Sequence, residues 1–144
     1  MQWIKLVLVL AVFCTPVTSA QEDSRQLVEL PDMMRKHMLA NMRDHLQTIS
    51  EIQKLMGKSD WDKAAAMAEA KLGMSSLNAH GAENMAKFMP QGMRETGGKM
   101  HKAASRFVFA AQDAAVDGDS ARAMTALSEV TAQCVACHAA YRLR

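Results

Sequence analysis

The chain has 144 residues, which is enough for one domain of ordinary size. The chain has seventeen Lys and Arg residues and fifteen Asp and Glu residues, which gives a net charge of +2. Because there is also no long basic run, the sequence excludes a strongly basic surface for binding nucleic acid. A content of thirteen methionines and only 5% aromatic residues favours helix over sheet.

The amino end has the composition of a secretory signal. Lys5 precedes an apolar run over residues 6–13, and small residues at 18–20 form a cleavage site. The run is too short to span a bilayer core of about 30 Å. We therefore expect residues 1–20 to be a cleaved signal peptide. Residues 21–144 would be one domain exported to the periplasm, with no stable membrane insertion.

The segment from Pro31 to Met56 is predicted to be the first helix. Proline is favoured in the first turn of a helix, and Gly57 is a natural stop. Apolar residues recur at spacings of three and four, which gives one stripe for burial. This stripe consists of Met34, Met38, Met42, His45, Ile49, Ile52 and Met56.

A second helix is predicted from Ser59 or Asp60, where Ser59 and Asp62 would form a capping box. A looser stretch follows, with a short helix over residues 82–89, and a third long helix runs from about Lys99 to Val116. The expected breakers of the looser stretch are Gly81, Pro90, Gly92, Gly97 and Gly98.

The fourth predicted helix begins near Asp119 or Ser120 and reaches the carboxyl terminus. Four helices in one domain predict an all-α fold, an antiparallel four-helix bundle. The inward stripe of the fourth helix is Met124, Leu127, Thr131, Cys134, His138 and Tyr141.

Near the carboxyl terminus stands Cys134-Val-Ala-Cys137-His138, a Cys-x-x-Cys-His sequence of the kind through which haem is attached covalently. The three side chains share one face of a helix because their spacings are three and four residues. Two thiols that can add to the haem vinyl groups thus stand beside an imidazole that can ligate iron. The prediction is one haem c, held by two thioether bonds on the last helix and lying between helices.

A redox-active cysteine pair and a zinc site are the alternatives at this spacing. A thioredoxin-like pair is expected near the first helix of a strand-helix-strand unit, which this helical sequence lacks. Zinc needs further ligands, and no second Cys-x-x-Cys is present. Cys14 leaves with the signal peptide, so Cys134 and Cys137 are the cysteines of the expected mature chain. Free thiols are prone to oxidation in an oxidising compartment, and haem attachment would use both of them.

From Cys134 to Arg142 the chain resembles the class II c-type cytochromes, the family of cytochrome c-prime and the cytochromes c-556. The carboxyl-terminal motif is specific, and the length and helix order extend the resemblance over the whole mature chain. The resemblance implies that His138 is the proximal iron ligand and that the first helix covers the distal haem face. Members of the family often pair through the first two helices, so a homodimer is among the expected states.

The residue opposite His138 decides the function. Compared with the c-556 type, the segment 37–42 places Met42 at the ligating position, and Met42 also lies in the middle of the first-helix stripe. Met38 and His45, each one helical turn away, are the rivals. An open position, as in cytochrome c-prime, is the remaining alternative.

The resemblance also suggests that Arg142 lies close to the haem, where its guanidinium can pair with a propionate. Arg35 and Arg43 are the alternatives for that role. Exposed or loop positions are expected for His37 and His80, and His101 at the start of the third helix is expected to be solvated, with a place in the haem pocket as the alternative.

Together these features predict an exported one-electron carrier, low-spin with His138 and Met42 as iron ligands, rather than an enzyme. Its partners would be redox proteins of an exported electron-transfer chain. The alternative is a five-coordinate protein that binds nitric oxide or carbon monoxide. A peroxidase is a weaker alternative that would use His45 as the distal acid-base group.

Overall fold

The computed structural model describes residues 22–144, so the signal-peptide prediction for residues 1–20 lies outside the described residues. This part of the chain is mostly helical, which confirms the all-α prediction, whereas the antiparallel four-helix bundle stays a prediction. None of the described helices is long and apolar enough to cross a membrane. The elements in chain order are β1 (Gln26–Val28), α1 (Asp32–Gly57), α2 (Trp61–Lys71), a 3-10 turn (Met74–Ser76), α3 (Ala82–Ala86), α4 (Gln91–Asp117), α5 (Ser120–Ala140) and β2 (Tyr141–Leu143).

Helix α1 matches its predicted bounds to within one residue, with Pro31 at the N-cap. Its predicted stripe is confirmed, since Met38, His45, Ile49, Ile52 and Met56 are all buried. The side chains of this stripe pack toward the rest of the molecule, and the charged residues of α1 face solvent.

The predicted capping box of α2 is wrong. Asp60, not Ser59, is the N-cap residue, and its side chain makes no capping hydrogen bond. Instead the Asp60 carboxylate accepts a hydrogen bond from Lys63 Nζ at 2.6 Å. Ser59 is used for the turn itself, because it adopts a positive φ of 56°. A left-handed residue at this point reverses the chain between α1 and α2.

Helix α4 begins at Gln91, much earlier than the predicted Lys99. The glycines expected to interrupt this stretch lie inside the helix, because tertiary packing outweighs their low helix propensity. Met93 and Met100 bury one face of the extended helix. At Gly92 a Cβ atom would collide with Tyr141 Oη, so the missing side chain permits a close approach. The predicted short helix over residues 82–89 ends earlier, at Ala86.

Helix α5 begins where predicted, with the Asp119 carboxylate accepting hydrogen bonds from the backbone N–H groups of Ala121 and Arg122. Its predicted extension to the terminus is wrong, because Tyr141–Leu143 leave the helix as strand β2. Strand β2 pairs in parallel with β1, with Leu27 opposite Arg142. The two ends of the described chain are therefore joined by backbone hydrogen bonds.

Two groups of buried side chains hold these elements together. The larger core cluster lies between α1, α2, α4 and α5 and includes Ile52, Leu72, Phe107 and Val130. The smaller core cluster is formed by Val28, Met38, Met85 and Met93. Half-buried residues that pack against the smaller cluster include Met42, Cys137 and Tyr141. The smaller cluster thus adjoins the carboxyl-terminal cysteine motif.

Candidate functional site

The cysteine motif lies on the last two turns of α5. Cys134 and Cys137 are half-buried free thiols, and His138 is exposed. All three side chains line one cavity of about 690 Å³ between α1, α4 and α5. The expectation that the three residues share a face is met, and that face opens on a space of the size that holds small-molecule ligands and cofactors.

Met42 of α1 lines the same cavity. It also lines a second cavity, of about 410 Å³, together with Cys137 and His138. Met42 is half-buried, so its thioether is neither sealed in the core nor free in solvent. The proposed distal ligand and the proposed proximal ligand thus border the same two spaces from different helices.

A third cavity, of about 280 Å³, adjoins the other two at Met42 and Gly97, the residues common to all three. Gly97 leaves room because no atom lies within 4 Å of where its Cβ would stand. The polar lining of this third cavity includes His45, His80 and His101, which we call the histidine cluster.

The rival ligands have different surroundings from Met42. Met38 is buried and lines the two smaller cavities, but not the largest one that contains Cys134. His45 lines the largest cavity, yet its Nε2 lies 3.4 Å from Nε2 of His80. Burial, followed by the neighbouring imidazoles of His80 and His101, lowers the pKa of His45 to about 4. His45 is therefore neutral at pH 7 and engaged with His80.

The two thiols lack the electrostatics of a redox-active pair. Burial raises the pKa of both Cys134 and Cys137, and the neighbouring Cys134 raises that of Cys137 further. Catalytic Cys-x-x-Cys pairs show the opposite shift, toward thiolate. In residues 22–144 no three His, Cys, Asp or Glu side chains converge at metal-ligand distance.

Two guanidinium groups lie where the 410 Å³ cavity reaches strand β2. Arg142 and Arg25 both line it, together with His138. Arg142 lies on β2 and not on the last helix, which was predicted to reach the carboxyl terminus. Its buried Nε lies 3.4 Å from Asp23 Oδ2 without hydrogen-bond alignment, and has no hydrogen-bond partner in the described residues. A buried donor in that position suits an anionic ligand group.

Arg25 was not predicted from the sequence. Its Nη1 donates to the backbone carbonyl of His138 at 3.3 Å, and its Nε and Nη2 donate to Asp23 at 2.9 and 2.7 Å. The hydrogen bond from Arg25 lowers the pKa of Asp23 to about 2. No sequence signal indicated Arg25, because its position depends on the pairing of two strands from opposite ends of the chain.

The alternatives to Arg142 lie elsewhere. Arg35 pairs with Asp32 at 3.5 Å, Arg43 is exposed, and neither lines any of the three cavities. Of the remaining histidines, His37 is exposed as expected and His80 is half-buried. His101 is buried in the middle of α4, so its expected solvated position is wrong.

The donor set fits a haem c. Two thiols on one helix can bond to the two vinyl groups of that cofactor. An imidazole on the same helix and a thioether on a second helix can ligate its iron, and guanidinium groups at the rim can pair with its propionates. The lining between these groups is mainly apolar, as a buried macrocycle requires. Comparisons with protein-family models, with curated proteins and with solved structures found no match to this chain.

Proposed function

We propose that the protein is an exported mono-haem c-type cytochrome that carries single electrons. Cys134 and Cys137 would hold the haem, and His138 and Met42 would ligate its iron. The observation that supports this most strongly is that Met42 and His138, from helices α1 and α5, line the same two cavities as Cys137. The proposed arrangement of the whole chain is an antiparallel four-helix bundle.

Haem c supplies a one-electron iron couple, and the protein's part is to hold it and set its potential. Met42 and His138 would supply a thioether and an imidazole to the iron, a pair that stabilises reduced iron relative to two nitrogen ligands. The apolar side chains of the largest cavity, among them Ile49 and Met100, would act in the same direction because oxidised iron carries the extra charge.

Arg25 and Arg142 would bind the haem propionates. Both line the cavity that contains His138, and Asp23 offsets only one of their two positive charges. The remaining charge favours a carboxylate beside the Arg142 guanidinium, whose Nε has no hydrogen-bond partner in the described residues. Arg25 also donates to the carbonyl of His138, which would fix the backbone that carries the proximal ligand.

Redox proteins of an exported electron-transfer chain are the proposed partners, and the periplasm is the proposed compartment. No substrate chemistry is required of the chain. The net charge of +2 favours partner recognition through local groups near the haem edge over long-range attraction. The proposal also includes a homodimer, because members of the family that the chain resembles often pair.

Visible absorption spectra of the exported protein test the proposal, recorded oxidised and reduced, with and without carbon monoxide. We expect low-spin spectra in both states, a weak far-red thioether-to-iron band when oxidised, and no effect of carbon monoxide. The substitution Met42→Ala should give a high-spin protein that binds carbon monoxide. Met38→Ala is the matched control, since it removes a neighbouring methionine of the same helix and should leave the protein low-spin.

Two results would contradict the ligand assignment. A low-spin spectrum retained in Met42→Ala would show that another residue ligates the iron. A high-spin wild-type protein that binds carbon monoxide would favour the five-coordinate, gas-binding alternative. Absence of covalently bound haem, read by haem staining after denaturing electrophoresis, would contradict the proposal as a whole.

A further inference from the structure

The histidine cluster is a concentration of imidazoles that the proposed electron carrier does not use. His45 comes from α1, His101 from α4, and His80 from the segment between α2 and α3. Their ring centroids are 4.6, 5.5 and 6.0 Å apart. His45 and His101 are each only 8% exposed. Three imidazoles from three separate parts of the chain therefore come together beside a mainly apolar cavity.

The hydrogen bonds around His80 and His101 fix their tautomers. Ser76 Oγ donates its proton to the carbonyl of Gly73 at 2.7 Å, so it can only accept from the imidazoles. It lies 3.4 Å from Nδ1 of both histidines. Nδ1 of His101 also donates to the carbonyl of Leu72 at 2.7 Å. The proton is therefore on Nδ1 in each ring, and Nε2 carries a lone pair.

For His80 and His101 this is the state in which histidines bind metals, whereas Nε2 of His45 donates to Nε2 of His80 and would release that proton to solvent when it binds a metal ion. A ligating imidazole typically donates its other N–H to a carbonyl or a similar acceptor, which orients the ring and raises the basicity of the ligating nitrogen. His80 is also fixed through its backbone, since its carbonyl accepts hydrogen bonds from His37 Nε2 at 2.9 Å and Asn41 Nδ2 at 3.2 Å. The segment that carries His80 is thus tied to α1, the helix of His45.

The spacing of the rings suits a tetrahedral ion. With Zn–N bonds of about 2.0–2.1 Å, two ligand nitrogens lie about 3.4 Å apart and two ring centroids about 5 Å apart. The Nε2 atoms of His45 and His80 are 3.4 Å apart, and the centroid distances of the cluster are within about 1 Å of that geometry.

We propose that the histidine cluster binds a divalent transition metal ion, with Zn²⁺ as its representative, through Nε2 of His45, His80 and His101. No three such side chains in the described residues already converge at ligand distance, so the ion has to draw the rings together. Water from the 280 Å³ cavity that all three line supplies the fourth ligand. Imidazole nitrogen donors favour Zn²⁺, Cu²⁺ and Ni²⁺ over Mg²⁺ and Ca²⁺.

Zn²⁺ binding to the exported full-length protein tests this site. Stoichiometry is measured by elemental analysis after dialysis, and affinity by competition with a chromophoric chelator. We expect one Zn²⁺ per chain. Each of His45→Gln, His80→Gln and His101→Gln should weaken binding about 100-fold or more, since loss of a supporting contact alone typically costs 10–100-fold. His37→Gln, the matched control, removes a hydrogen bond to the His80 carbonyl but no ligand, so it should weaken binding by about 10-fold and by less than any of the three cluster variants.

X-ray absorption at the zinc edge of the wild-type protein provides a second measurement that needs no variant. It should report three imidazole nitrogens at about 2.0–2.1 Å. Fewer than three imidazoles, no bound Zn²⁺, or equal losses in His37→Gln and the cluster variants would overturn the proposal. A changed visible spectrum in His45→Gln would also overturn it, because that result would place His45 on the haem iron.

Discussion

At the scale of single residues, His45 is a buried titratable group whose pKa changes on folding. It is buried on α1, faces two other imidazoles, and its pKa is lowered to about 4 by burial and by His80 and His101. Burial also lowers the pKa of His80. An unfolded chain would bind a proton at His45 below about pH 6.5, while the folded chain would not until about pH 4.

The stability of the protein should therefore fall as the pH is lowered through this window. Between pH 6.5 and about 4 the unfolded state binds more protons, so acid favours unfolding, and His45 alone accounts for about 3 kcal/mol over the window. Denaturant unfolding at a series of pH values, with a chelator present, measures the slope. His45→Gln should flatten it, and His37→Gln should not. An unchanged slope in His45→Gln would contradict the assigned burial.

The residues of the site were predictable from sequence to different degrees. Cys134, Cys137 and His138 were predictable because their spacing is local and their chemistry is specific. Met42 followed from helical periodicity together with the resemblance. The buried position of His101 was missed, because α4 was thought to begin at Lys99, which would have left His101 in an exposed first turn.

At the scale of elements, the amino-terminal half of α4 depends on contacts with the rest of the protein to stay helical. Three glycines within it would break an isolated helix, yet the helix continues. Gly92 and Gly98 differ in what a side chain would meet. At Gly92 a Cβ would collide with Tyr141 Oη of β2, whereas at Gly98 no atom lies within 4 Å.

Alanine at these two positions should have opposite effects. Gly98→Ala should raise the free energy of unfolding by about 0.5–1 kcal/mol, because alanine loses less backbone entropy in a helix. Gly92→Ala should lower it by about 1 kcal/mol, because Tyr141 has to move and overpacking outweighs the gain. Denaturant unfolding of both variants, side by side, measures the difference. A stabilised Gly92→Ala protein would mean that Tyr141 moves away at no cost.

Helix α4 also shows which helix ends could not be predicted from the sequence. Helix α1 was predicted almost to the residue, since its stripe and its terminal signals agree. The start of α4 and the end of α5 were not, because both depend on contacts between Gly92, Tyr141 and strand β1, which lie far apart in the sequence. Local propensity carries no information about such contacts.

At the scale of the whole molecule, the two core clusters differ in the elements that build them and in their expected dependence on a cofactor. The larger is built from α1, α2, α4 and α5 with Leu72 just after α2, while the smaller includes Val28 of β1 and packs against Cys137. The 410 Å³ cavity opens beside the smaller cluster at Met38 and Met93, whereas the 690 Å³ cavity meets the larger cluster at Ile49 and Met100. The larger cluster should therefore be stable without cofactor, and the smaller cluster should depend on it.

Hydrogen exchange on a cofactor-free variant measures this division. In a Cys134→Ala/Cys137→Ala protein we expect slow exchange for amides around Ile52 and Phe107, and fast exchange around Val28 and Met85, relative to the haem-loaded protein. Equal protection of both clusters in the cofactor-free variant would show that the cavity walls are rigid by themselves.

The parallel pairing of β1 and β2 has a kinetic consequence. The hydrogen bond from Arg25 to His138 joins residues 113 positions apart in the sequence, and contacts of such long range form late, since the chain between them must be ordered first. The helical hairpin of α4 and α5, closed by a turn at Gly118, is local and forms early. Until the strands join, Cys137 would stand on a formed helix without Val28 of β1, which belongs to the cluster that Cys137 packs against. The folding pathway itself would then provide an interval in which the Cys137 thiol is more accessible, and the docking of β1 would end that interval.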